Sequence, residues 1–104
     1  NKITYFEIKG HANFSEYGED VICAAVSSVG QMTINGLIET LKLQKKLEYV
    51  EKDGLITCDL KDSELTDDEL EKADILIESM YSYLKAVARS YSEFVKLEEK
   101  IENK

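Results

Sequence analysis

His11 is the only histidine in the chain, and Cys23, one of two cysteines, follows it by twelve residues. A thiolate is a strong nucleophile, but an unassisted thiol is mostly protonated at neutral pH, so cysteine catalysis needs a base or a cationic partner nearby. A histidine supplies either, and closeness in space does not require closeness in sequence. Asp20 stands where a helix is expected to begin, and as an N-cap its carboxylate would accept backbone N–H bonds from the first turn. Cys23 would then fall at about the third helical position, where the positive end of the helix dipole favours thiolate over thiol. At that position the backbone N–H groups of Cys23 and Ala24 would lie near any carbonyl the sulfur attacks and could hold its oxyanion. Asp20 could instead orient the imidazole, and the spacing does not choose between the two roles. Ser27 is one helical turn beyond Cys23 on the same face, placed to donate a hydrogen bond.

The same residues have plainer readings. A cysteine in an apolar helix is commonly a small buried hydrophobe, and a lone histidine in a glycine-flanked loop is commonly a polar surface group. Spacing alone leaves both readings open. Cys58 alternates inward on an expected strand and reads as core. One His and two scattered Cys lack the close ligand pairs of a zinc site, so neither a metal nor any other cofactor is expected. The cysteine spacing does not make a secreted disulfide framework, and no signal peptide is evident, so a cytoplasmic chain with reduced thiols is expected.

These residues must be positioned by a small number of elements. Residues 2 to 9 are rich in β-branched and aromatic types, with Ile3, Tyr5 or Phe6, and Ile8 as inward candidates, and predict a strand. Residues 10 to 18 lie between glycines, have no period and predict a loop. An apolar helix is predicted from Val21 to about Leu43, its apolar positions covering more than one face; Gly30 and Gly36 inside it suggest close approach of a neighbouring element. Two alternating runs, 46 to 52 and 55 to 61, flank Asp53-Gly54 and predict a β-hairpin with one dry face formed by Leu47, Tyr49, Ile56, Cys58 and Leu60. Thr66 and Glu69 have capping-box spacing, and open a second helix predicted to run to about Ile101. Its apolar stripe passes through Leu70, Ala73, Ile77, Met80, Leu84, Val87, Tyr91 and Phe94. A two-layer α+β domain follows, an α/β sandwich with two long helices on an antiparallel sheet.

At 104 residues and 43% hydrophobic content the chain suits a single packed domain spanning 1 to 104. Its apolar stretches are interrupted by Ser, Gly, Gln and Asn, and no membrane crossing is expected. The net charge of −8 makes nucleic acid an unlikely direct ligand. Residues 59 to 78 hold nine acids against two bases, which reads as the solvated start of a helix and secondarily as a surface that steers a basic partner.

Gly10-His11-Ala12, then Gly18-Glu19-Asp20, Val21-Ile22-Cys23-Ala24-Ala25-Val26-Ser27-Ser28 and Asn35-Gly36-Leu37 closely resemble the ribosomal-processing cysteine protease family, Prp. The resemblance implies that His11 and Cys23 form a catalytic dyad, with Asp20 and Ser27 as supporting residues. It implies a homodimeric α/β sandwich that removes a short N-terminal extension from the precursor of large-subunit ribosomal protein bL27. A loop closing over the substrate is implied too, in which Phe14 and Tyr17 are candidates for contact with the peptide. Family members usually begin with one more strand, so the order (β)-β-α-β-β-α is expected here with the first strand absent and one sheet edge reduced. The acidic chain suits a basic ribosomal substrate through steering. The alternative from another class is a non-catalytic dimeric module for ribosome assembly, in which Cys23 is core and the sheet edge or the helical stripe binds a partner.

Overall fold

The computed structural model describes residues 2–10, 17–52, 54–60 and 64–100. Strand β1 (Tyr5–Lys9) is followed by helix α1 (Tyr17–Asn35), which continues as a single π-helical turn, Gly36–Thr40. After a 3₁₀ turn at Gln44–Lys46 come β2 (Glu48–Lys52), β3 (Leu55–Asp59) and helix α2 (Asp67–Ser90). The sheet is antiparallel in the order β1-β3-β2, so the chain's α+β class and element order match those expected.

Register decides which residues face the helices. Phe6, Cys58 and Tyr49 form one cross-strand row, and Ile8 pairs with Ile56 in the next. These even positions of β1 are half-buried against the core, whereas Tyr5 turns outward with 49% of its surface exposed. The choice between Tyr5 and Phe6 thus falls to Phe6, and Tyr5 instead donates its hydroxyl hydrogen to Glu7 Oε1 at 2.8 Å. Gly54 at the hairpin adopts φ +80°, a conformation that favours glycine over any residue with a Cβ.

Both helices contribute one stripe to the core. From α1 and its π turn come Gly30, Thr33, Ile34 and Leu37, all buried. From α2 come Ala73, Ile77, Met80, Leu84 and Val87, steps of four and three that keep one face inward. The segment Val21–Thr40 is long and apolar enough by composition to cross a membrane, contrary to the expectation from its polar interruptions. In this fold it is the central helix, and its inward stripe packs on β1, β3 and α2.

The glycines mark the closest approaches. A Cβ at Gly30 would stand 2.6 Å from Ile8 Cδ1 and 3.2 Å from Ile56 Cδ1; one at Gly36 would stand 2.9 Å from Leu76 Cδ1. The first is where α1 meets the sheet, and the second is where it meets α2.

Helix ends differ from expectation in two places. The capping box at α2 forms as predicted: Thr66 Oγ1 accepts from the Glu69 N–H, and Glu69 Oε1 accepts from the Thr66 N–H. That helix, however, stops at Ser90 instead of near Ile101. Tyr91 leaves helical geometry at φ −128°, ψ 47°, and the N–H groups of Phe94 and Val95 turn back to its carbonyl. Ser90 and Ser92 bracket this turn, and serine side chains compete with the helical ladder for backbone groups. At the other helix, the N–H of Leu43 reaches the Leu37 carbonyl at 3.0 Å across Lys42, whose φ is +58°. This bond back to a carbonyl six residues earlier ends the helical segment, and Leu43 is buried to 1% exposure.

Candidate active site

Helix α1 carries the residue with the strongest chemical potential. It begins at Tyr17, four residues before the predicted Val21. Glu19 and Asp20 therefore occupy its first turn, where acidic residues suit the positive end of the dipole. Two expectations are corrected by this. Asp20 is a residue of the helix and not its N-cap. Cys23 is the seventh helical residue, more than a turn in, where its N–H and that of Ala24 point to carbonyls four residues earlier instead of lying free. The oxyanion argument built on those two N–H groups no longer holds, and the dipole's pull on the thiol, concentrated in the first turn, is weaker than expected. Any activation of Cys23 must come mainly from a side-chain partner.

Cys23 is half-buried, as are Val26 and Ser27. Positions 23, 26, 27 and 30 share one face by helical spacing, so Cys23 and Ser27 continue, toward the start of α1, the stripe that Gly30 plants on the sheet. Tyr17 opens α1 and so is not in the loop where it was expected; its side chain and that of Asp20 lie outside the described residues. His11 and Phe14 lie outside them entirely. The strand that leads to His11 ends at Lys9, and the next residue, Gly10, donates its N–H to the Gly54 carbonyl at 3.1 Å. Gly10 has φ +145° with open space where a Cβ would be, so it is the backbone conformation and not crowding that calls for glycine before the histidine.

The second cysteine is in a different environment. Cys58 is fully buried in the middle of β3, and burial, with a smaller contribution from Asp59, pushes its thiol up to about 12. It is core, as its alternation predicted. Cys23 and Cys58 are not joined in a disulfide.

A shallow depression of about 260 Å³ lies at the opposite end of the helical layer, lined by Thr40, Leu41, Leu43, Asp68, Glu69 and Lys72. Its charged groups are already engaged: Lys46 Nζ donates to Glu69 at 2.9 Å, and Lys72 pairs with Asp68 at 3.1 Å. The acids here fit the expected solvated helix start, and none of the predicted site residues lines it. What sequence reasoning missed at the site is the early start of α1, for which Glu19-Asp20 as first-turn acids was the available signal.

The chain is similar to known proteins over most of its length. The family model described as Cysteine protease Prp matches residues 1–96. The ribosomal processing cysteine protease Prp of Bacillus subtilis (strain 168) is 34% identical over 91 residues, covering 88% of this chain and 80% of the relative. The Staphylococcus aureus protein of the same name is 26% identical over 96 residues, covering 92% of this chain and 86% of its own. Among solved structures, a Streptococcus mutans protein superposes with a TM-score of 0.68 at 32% identity, covering 91% of this chain and 81% of its own. The essential S. aureus ribosomal processing protease Prp, crystallised with a substrate peptide, superposes with a TM-score of 0.75 at 25% identity, covering 96% and 90%. The same S. aureus protease has also been crystallised with a covalently linked product peptide, at a TM-score of 0.70. With a family model matching residues 1–96 and a relative 34% identical over 88% of the chain, this chain belongs to the cysteine protease Prp family.

Proposed function

We propose that the chain is a cytoplasmic cysteine endopeptidase that removes the N-terminal extension of the bL27 precursor, with Cys23 as nucleophile and His11 as its acid and base. The observation that carries this reading is the contrast between the two cysteines. A cysteine protease needs one reactive thiol, and Cys58 is fully buried with its thiol pushed up to about 12, which leaves the half-buried Cys23 on α1. The peptide linked covalently to the S. aureus relative supports a covalent mechanism in the family.

His11 is suited to the partner role by reach. Cys23 is seven residues from Gly30, about 10 Å along the helix axis, and His11 is three residues from Ile8, about 10 Å of extended chain. A Cβ on Gly30 would meet Ile8 Cδ1, so chain length alone allows both groups to reach the same region. The Cys23 sulfur adds to the scissile carbonyl carbon, the C–N bond breaks, and the His11 proton goes to the leaving amine. Water, deprotonated by His11, then adds to the thioester and releases the carboxylate, returning the thiol. Asp20 and Ser27 are assigned supporting roles on either side of Cys23, and Phe14 and Tyr17 are assigned to peptide contact.

A homodimer is part of the same reading. Met32 on α1 and Ile75 on α2 are 69% and 66% exposed. They offer an apolar surface to a second copy.

The test is mass spectrometry of the bL27 precursor after incubation with the wild-type chain and, separately, with Cys23→Ser. Cleavage at a single apolar-aromatic junction by the wild type alone supports the assignment. An intact precursor with both proteins, or cleavage by both, refutes it.

A further inference from the structure

We propose that Gly30 is a positioning residue for catalysis: its missing side chain lets α1 settle on Ile8 and Ile56, and so sets the separation between Cys23 and the chain leaving β1 toward His11. This inference rests on the protease reading and adds to it a residue that does not touch substrate. Three observations carry it. Gly30 is buried on the stripe that also holds Cys23 and Ser27. A Cβ there would stand 2.6 Å from Ile8 Cδ1 and 3.2 Å from Ile56 Cδ1, closer than ordinary contact at 3.4 Å or more. Ile8 and Ile56 are register partners on adjacent strands, so the contact is with two side chains anchored on paired strands and not with a loop.

The lever is short on both sides. Two helical turns separate Gly30 from Cys23, and three residues separate Ile8 from His11. A displacement of α1 from β1 at this point therefore moves Cys23 relative to the end of β1. Misplacing a reacting group by about 1 Å costs on the order of a hundredfold in rate, so the partial shift needed to relieve one Cβ is expected to cost about tenfold.

The experiment compares four proteins: wild type, Gly30→Ala, Gly30→Ala/Ile8→Val and Gly36→Ala. Alanine is the better helix former, so Gly30→Ala is expected to keep its fold. Ile8→Val deletes the Cδ1 atom that the new Cβ would meet. Gly36→Ala makes a similar intrusion, 2.9 Å from Leu76 Cδ1, but at the contact between the helices, far from Cys23. Each protein is followed by thermal melting, by kcat and KM on a peptide spanning the bL27 junction, and by the pH profile of Cys23 alkylation.

Gly30→Ala is expected to lower kcat about tenfold with KM little changed, and to move the alkylation profile toward that of an ordinary thiol. The double variant is expected to recover both, and Gly36→Ala to alter only the melting temperature. Gly30→Ala with wild-type kcat and profile overturns the inference and leaves the protease reading standing. So does an equal loss in Gly36→Ala, or a double variant that is not rescued. A wild type that neither cleaves the peptide nor alkylates faster at Cys23 than at Cys58 overturns the protease reading, and the inference with it.

Discussion

Raising the pH should destabilise this fold through Cys58 before any catalytic group is considered. In the folded chain the Cys58 thiol is pushed up from an ordinary 9.0 to about 12, because burial disfavours the thiolate and the neighbouring Asp59 carboxylate adds a smaller repulsion. Below pH 9 the thiol is protonated in both states and contributes no pH dependence. Between about pH 9 and 12 only the unfolded chain ionises there, so folding stability falls with a slope approaching 1.4 kcal/mol per pH unit and a total of about 4 kcal/mol. Against a typical domain stability of about 5–15 kcal/mol this is a large share. The informative quantity is the difference between wild type and Cys58→Ala, which isolates this thiol, measured by urea denaturation from pH 8 to 10.5. At pH 8 the variant should be less stable by roughly 1–2 kcal/mol for the small cavity it leaves. As pH rises the wild type should lose more than the variant, and the two curves should converge. A difference that stays constant from pH 8 to 10.5 would refute the assignment of Cys58 as a buried neutral thiol.

Other consequences concern the helix ends. Thr66→Ala removes one half of the capping box and should cost about 1 kcal/mol in a denaturant titration. The Thr66 backbone N–H, and then the Lys46 ammonium, hold the Glu69 carboxyl below its ordinary 4.5; its stabilising contribution is therefore present above that value and lost as pH falls through the folded-state titration, so acid unfolding of Glu69→Gln should be less steep than that of the wild type. Lys42→Gly relieves a positive φ of 58° in the turn that closes the central helix, and should raise stability by about 0.5–1 kcal/mol in the same assay. Ile77→Ala, at a fully buried position of α2, should cost about 2–5 kcal/mol.

Strong local patterns made much of the fold legible. The alternation around Asp53-Gly54 placed Ile56 and Cys58 inward, the Thr66–Glu69 pair marked the start of α2, and the step of four and three from Ala73 to Val87 identified its buried face. Gly30 and Gly36 announced close approaches that the structure finds at Ile8 and Leu76. What was not legible depended on backbone detail. A stop at Ser90 is a contest between a continuing apolar stripe and two serines, and the stripe alone argues for continuation because Phe94 and Val95 remain half-buried beyond the helix. The π turn at Gly36–Thr40 and the positive φ of Lys42 have no residue signature comparable to Asp-Gly. At the candidate site, Cys23 and Ser27 could be put on one helix and one face from spacing, but the position of Cys23 within the helix depended on where α1 begins. An N-cap at Asp20 and first-turn acids at Glu19 and Asp20 are both good chemistry, and they differ by a full turn.

That turn changes what must activate Cys23. With the sulfur beyond the first turn of α1, the helix dipole contributes less and His11 correspondingly more, so thiol reactivity tests the account most directly. Native protein is pulsed with iodoacetamide at pH 7.5, and the labelling of Cys23 and Cys58 is quantified by peptide mass spectrometry in the wild type and in His11→Ala. Cys23 should react faster than Cys58 by at least about a thousandfold, since three units separate Cys58 from an ordinary thiol, and His11→Ala should slow Cys23 while leaving Cys58 unchanged. Labelling of both thiols at similar rates, or a Cys23 rate indifferent to His11, would contradict the account.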